Sequence, residues 1–433
     1  MRSMAAFPSV ITAIVYMVLL LSSTDIALAD EGSDEQISIS SSYVLTVEEA
    51  VTRALKNNRK LKSLDTSVMM RRNRLDSATG VANPELRIKD ISTKYFTETF
   101  DEITIGLRWR IPGLGDISLK EQQAKVRYHE ARVDKDIATL ELCRKVRKTY
   151  ADIIYYQTQA GLIKDRIRIE QLRIKQIEKM TNLGRRSIVY FAKSKMWLED
   201  AISESAKINK RLMQANKKLQ RLTNVSAVLQ LVPDELPEVD DDEEHLLVIA
   251  SNNRSELGLF RERMLLAEKE YNMQRYKLIP WFSYIEADYH LEYGKPDWGE
   301  FMIGIELPLF NYNQGNIEAT RLSMDKRQIK LDAVKEDIST DLTRAFDIYR
   351  EYLLDWKTGS DNARKIIVTV NTIIEENKLH ETIPIDEIIE LERTVLDTRQ
   401  KLADRRHKLA HSLYDLYFSL GVKGYEEIAG AAL

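Results

Sequence analysis

Glu102-Ile103-Thr104-Ile105-Gly106-Leu107-Arg108-Trp109-Arg110-Ile111 alternates without a break: Ile103, Ile105, Leu107, Trp109 and Ile111 fall on one side, Thr104, Gly106, Arg108 and Arg110 on the other. A two-residue period is that of a β-strand. A second copy follows, with Phe301, Ile303, Ile305, Leu307 and Leu309 alternating against Met302, Gly304, Glu306 and Pro308. The segment before it sets Ile285, Ala287, Tyr289 and Leu291 opposite Glu286, Asp288, His290 and Glu292. A sheet with one face on a protein core gives this alternation, and so does a barrel strand with one face in lipid.

Length and flanks bear on that choice. A tilted strand crosses a bilayer in about 9 to 11 residues, and membrane barrels ring their apolar band with aromatics. Trp109, Trp281, Trp298, Tyr95, Phe96, Tyr284 and Tyr293 stand near the segment ends. The chain holds four such segments, about Glu85 to Ile91, Glu102 to Ile111, Trp281 to Leu291 and Glu300 to Pro308. Four strands cannot close a barrel, and an open edge cannot persist in lipid. Membrane strands would therefore require an oligomer, with Arg108, Arg110, Glu286 and Asp288 facing its lumen.

Displaced by 196 residues, the sequence matches itself: Asn83-Pro84 falls on Ile279-Pro280, Ile111-Pro112 on Leu307-Pro308, Tyr150 on Phe346, Tyr156 on Tyr352 and Leu183 on Leu379. This is duplication of a domain-sized module, far longer than a solenoid unit. The first repeat is expected over 45–225, with a strand hairpin at 85–111 and a long helical hairpin at 117–223. The second is expected over 245–421, with strands at 281–309 and helices at 316–420. Ile117 to Leu183 contains no proline and only Gly161 as an internal glycine. At ~1.5 Å per residue such a stretch makes a rod on the order of 100 Å long. Rods of that length bury their apolar stripe only against other rods.

Composition agrees with long amphipathic elements. The 433 residues include only 16 Gly and 9 Pro, with 30% charged and 44% apolar residues. The formal charge of −3 gives no electrostatic case for nucleic acid. Residues 1–29 read as an export signal, with Arg2, an apolar core from about Val10 to Leu21 and Ala27-Leu28-Ala29 before the expected cleavage. Residues 30–44 read as a loose tail, 226–244 as a solvated acidic linker and 422–433 as a C-terminal tail. The lone Cys143 fits a structural thiol. His407 and His411 share a helical face at i, i+4, but without a third ligand nearby in sequence they read as solvated or interfacial rather than as a metal site. Met69, Met70, Met180, Met196 and Met213 read as helix-seam packing. No HExxH, Walker loop or GxSxG is present, so no enzyme is expected and no cofactor is called for.

Together these features resemble the TolC-type outer-membrane factors, from Leu45-Thr46-Val47-Glu48-Glu49-Ala50 and Ala54-Leu55-Lys56-Asn57-Asn58 through Ala250-Ser251-Asn252-Asn253 to Leu420-Gly421. The resemblance implies a fold with four strands per chain in a trimeric, 12-stranded outer-membrane β-barrel and long α-helical hairpins in a periplasmic tunnel. It implies a homotrimer in outer-membrane lipid of a Gram-negative bacterium, acting with a periplasmic adaptor and an inner-membrane pump in efflux, or alternatively in type I protein secretion. A soluble periplasmic coiled-coil scaffold is the remaining alternative. Leu307-Pro308-Leu309-Phe310-Asn311-Tyr312-Asn313-Gln314-Gly315-Asn316-Ile317 resembles the cation-efflux branch.

By position, the family's gate aspartate matches Asp386, with Glu390 one helical turn on. The family's tip glycine stands as Gly184 in the first copy, whereas His380 takes its place in the second. Gly184, Arg185, Arg186 and Ser187, with Glu381, Thr382, Ile383 and Pro384, are the corresponding adaptor contacts. Asp386 near a helix start also satisfies the helix dipole without any gating role.

Overall fold

The computed structural model describes residues 43–92, 102–182, 188–225, 229–233, 235–239, 242–292, 294–310, 312–380 and 383–431. The expected signal segment, Gly184, Arg185, Arg186, Ser187, Glu381 and Thr382 lie outside them. Helix α1 (Val47–Asn57) starts at a reciprocal cap in which Thr46 Oγ1 accepts the Glu49 N–H and the Glu49 carboxylate accepts the Thr46 N–H, each at 3.3 Å. Asn58 ends α1 and caps α2 (Arg59–Asp76), its Oδ1 accepting the Leu61 N–H at 3.1 Å. Strands β2 (Glu85–Ser92) and β3 (Glu102–Arg110) follow, then α3 (Asp116–Asn182) and α4 (Ile188–Thr223). The second half repeats the plan: α5 (Glu243–Asn253), α6 (Ser255–Tyr276), β5 (Trp281–Glu292), β6 (Trp298–Glu306), α7 (Gln314–His380) and α8 (Ile385–Leu420). Helix α9 (Tyr425–Ala431) closes the described chain.

The repeat is exact in element length where the rods are concerned. Helices α3 and α7 each have 67 residues, and α4 and α8 each have 36. Near the sheet α3 packs on α2 and α6; toward the other end it packs on α4 and α8. No described helix is long and apolar enough to cross a membrane.

The two largest core clusters occupy equivalent places. Leu142, Val146 and Tyr150 of α3 lie under α1, and their sequence equivalents Ile338, Leu342 and Phe346 of α7 lie under α5; all six are buried. One substitution within the repeat has a visible consequence. The buried Tyr150 Oη accepts the Val232 N–H at 3.1 Å and lies 2.8 Å from the Leu45 carbonyl, fastening β1 (Tyr43–Leu45) and the chain after its parallel partner β4 (Leu229–Leu231). Phe346 has no hydroxyl, and Tyr349 acts instead, its Oη accepting the Val239 N–H at 2.9 Å.

The segment expected to be solvated between the repeats is therefore pinned. Leu231 and Val239 are buried although acidic residues surround them, because two apolar side chains in an exposed linker gain more from the adjoining core than the linker loses in freedom. At the C-terminus, buried Arg147 donates to the Lys423 carbonyl (3.1 Å) and the Glu48 carboxylate (2.8 Å), and Ile428 of α9 enters the core. Of the five methionines expected in helix seams, Met69, Met70, Met196 and Met213 are exposed on the single chain, whereas Met180 is half-buried. Cys143 is buried, and burial pushes its thiol up to about 11.

Candidate functional site

The four strands at one end of the rods form an antiparallel sheet of order β2-β3-β5-β6, so β3 of the first repeat pairs with β5 of the second. Their register runs unbroken from Glu102 opposite Glu292 to Arg110 opposite Tyr284. Among the described residues, both outer strands, β2 and β6, have one edge without a partner strand.

The burial of this sheet is inverted relative to a soluble one. Its apolar face is open: Leu86, Ile88, Ile105, Leu107, Trp109, Phe301, Ile303 and Ile305 are all exposed, Leu86 by 70% and Phe301 by 64%. Its polar face is closed, with Thr104, Glu286, Asp288 and His290 buried and Glu286 at 0%. A soluble half-buried sheet would put the first set inside and the second in water. The exposed set forms a continuous apolar surface of a kind that soluble monomers rarely present.

The closed face is held by charge pairing. Glu286 on β5 receives Arg87 (2.8 Å) and Lys89 (2.5 Å) from β2 and Arg108 (2.7 Å) from β3. Lys89 also meets Asp288 at 2.6 Å. Gly106 stands opposite Asp288, where a Cβ would lie 1.9 Å from its Oδ1; glycine leaves room for that carboxylate. Of the residues expected on this face, Arg108, Glu286 and Asp288 meet in one network, whereas Arg110 lies at its margin, 68% exposed and 3.3 Å from Glu85. Arg87 and Lys89 were not singled out from sequence, although Leu86 and Ile88 alternate with them in the same period. Thr104 and His290 complete the face at 3.0 Å, and the His290 ring stacks on Trp298 with centroids 3.9 Å apart.

At the far end of the rods, Ile383 is clamped by buried Asn377, whose Oδ1 accepts the Ile383 N–H at 2.6 Å. Pro384 precedes α8, whose first turn contains Asp386; the Asp386 side chain lies outside the described part. Glu390 is not an isolated acid. It lies 3.3 Å from Arg393 and 4.0 Å from Arg173 of α3. Buried Glu170 lies 3.2 Å from Arg393 Nε, and the Trp197 ring of α4 sits beside both guanidinium groups, at 4.7 Å from Arg173 and 5.3 Å from Arg393. Three helices are thus tied together above the tip by side chains that sequence spacing did not connect.

His407 and His411 lie at the interface of α8 with α3, and a potential third ligand, distant in sequence, meets them there: Asp152 of α3, 255 positions before His407, has its Oδ1 2.8 Å from His407 Nε2 and 2.9 Å from His411 Nε2. Burial alone would raise the Asp152 carboxyl, but hydrogen bonds from both histidines and their charges outweigh it and hold the group well below the usual carboxylate range.

With this geometry in view, solved structures supply the comparison. CusC superposes with a TM-score of 0.71 at 18% identity, over 87% of this chain and 92% of that one. The CmeC outer membrane channel of Campylobacter jejuni gives 0.66 at 14% identity, over 94% and 96%. The chain has the fold of the outer-membrane channels. MtrE of Neisseria gonorrhoeae, an outer membrane channel crystallised in its open state, gives 0.64 at 16% identity, over 87% and 89%. No family model and no curated protein matches the sequence. Within this channel fold, the exposed apolar face and the two unpaired edges of the sheet belong to an incomplete barrel wall.

Proposed function

We propose that this protein is the outer-membrane exit duct of a tripartite efflux pump: a passive homotrimeric channel, opened at its periplasmic tip by an adaptor protein and fed by an inner-membrane pump. The observation that carries this reading is the inverted sheet. Its apolar face suits lipid, its ion-paired face suits an aqueous lumen, and its two open edges require neighbouring copies. Three copies supply 12 strands, well within the range of closed barrels, and the rods continue the duct away from the membrane.

Gating is assigned to the tip. Asp386 copies around a three-fold axis would form an anionic ring that admits cations and repels anions. Opening is then a population shift toward separated tips, favoured by an adaptor that fits the open state better. The exposed Glu390, bridged through Arg393 and Arg173, serves as a latch between α8 and α3 rather than as part of that ring. Planar-bilayer recording tests this directly. Asp386→Ala should raise conductance and weaken cation selectivity, and identical single-channel records for variant and wild type would remove Asp386 from the gate.

A further inference from the structure

We propose that Asp152, His407 and His411 form a binding site for a divalent transition-metal ion that ties α3 of the first repeat to α8 of the second. The i, i+4 spacing puts both imidazoles on one face of α8, the arrangement by which a single helix offers two nitrogens to one metal. Asp152 brings the third ligand from a different helix, and the donor atoms all lie within 4.8 Å of one another. The fold already gathers them, since one carboxylate oxygen holds both Nε2 atoms at 2.8 and 2.9 Å. Replacing those hydrogen bonds by a cation needs only small movements to reach about 2.0–2.2 Å from each donor. The imidazole protons then reside on Nδ1, leaving the Nε2 lone pairs for the metal.

Surroundings support the site. The Tyr155 ring stacks on His407 with centroids 4.4 Å apart, and Tyr155 is itself fixed by its hydroxyl's 2.8 Å bond to Asp404. This supporting pair orients the ligand ring, the service that outer-shell groups perform at metal sites. A cavity of about 300 Å³ lies beside the site, lined by His407 together with Tyr155, Trp356 and Arg406. Two imidazoles and one carboxylate select zinc, cobalt, nickel or copper over magnesium and calcium, which prefer all-oxygen shells. The competing arrangement is a carboxylate that merely clamps two histidines.

The test is titration of the purified full-length oligomer in detergent with Co²⁺ alone, read by its visible absorption, and with Zn²⁺, read by the thermal midpoint. One Co²⁺ per chain, insensitive to excess Mg²⁺, is expected. Asp152→Asn and His411→Gln each remove a direct ligand, so each should weaken binding by more than the roughly ten- to hundredfold that loss of an outer-shell partner costs and should abolish the Zn²⁺-dependent rise in midpoint. His290→Gln, which alters the second three-ligand cluster of Asp288, His290 and Glu300, should leave both readouts unchanged. Should the Asp152 and His411 variants fail to assemble, the wild-type stoichiometry and the His290→Gln control decide the matter. Absence of Co²⁺ uptake by the wild type, binding that survives Asp152→Asn and His411→Gln, or loss of binding in His290→Gln would each overturn the assignment.

Discussion

Leu107→Arg separates a lipid-facing sheet from a water-facing one by the sign and size of its effect. Strand β3 has nine residues; at about 3.4 Å per residue and a tilt of about 40° it rises roughly 20 Å, near the height of the apolar band of a membrane barrel. Gly106 is its midpoint, so Leu107, 51% exposed on the apolar face, lies within about 3 Å of the bilayer centre. An arginine at that depth costs about 2–4 kcal/mol, whereas one at the interface costs about 0–1 kcal/mol. The first figure is roughly a 30- to 700-fold loss per chain in the ratio of inserted to denatured protein. Leu309, somewhat more open at 63% but beyond the end of β6, is the control. The assay refolds urea-denatured chain into lipid vesicles and follows the heat-resistant oligomer as urea is increased. Leu107→Arg should lower the midpoint strongly and Leu309→Arg hardly at all. If the face were in water, both changes would stay within about 0.5 kcal/mol of wild type, and equal, small shifts would refute the reasoning.

Glu286→Ala leaves Arg87, Lys89 and Arg108 without their shared anion; the cations are a quarter to a third exposed, so the expected loss is about 2 kcal/mol, below the range for a wholly buried pair. The same variant should move the reversal potential in a salt gradient toward anion selectivity, and an unmoved potential would take this face out of the conducting path. Tyr150→Phe removes the acceptor of the Val232 N–H and should cost about 1–3 kcal/mol in thermal unfolding, whereas an unchanged midpoint would mean that the hydroxyl fastens nothing. Cys143, with its thiol at about 11, is overwhelmingly protonated and covered at pH 8; a thiol reagent should modify it only as the protein unfolds, and rapid labelling of the native oligomer would contradict the burial.

Much of this was legible because a strand's period and a helix's length are written locally. The alternation from Ile103 to Ile111 identified both faces of β3, and the near absence of breakers from Ile117 to Leu183 identified α3. Alternation is symmetric, however, and does not say which face meets water; only the burial of Glu286 beside the exposure of Leu86 and Phe301 decides that. Contacts between distant positions were equally silent. Arg87 and Lys89 reach Glu286 through a sheet register that joins the two repeats, and Asp152 reaches His407 through the packing of α3 on α8. The linker's acidic composition correctly announced exposure for most of its described residues, but it gave no sign that Leu231 and Val239, a small minority, are buried.

The central claim is a barrel completed by three chains, and native mass measurement of the complex extracted from membranes in mild detergent tests it most directly. The account predicts a particle of three 50 kDa-class chains, before correction for any removed signal segment, that needs detergent to stay dispersed. A monomer that remains soluble without detergent would contradict it, because the exposed apolar sheet would then have no lipid to face and its two edges no neighbours to join.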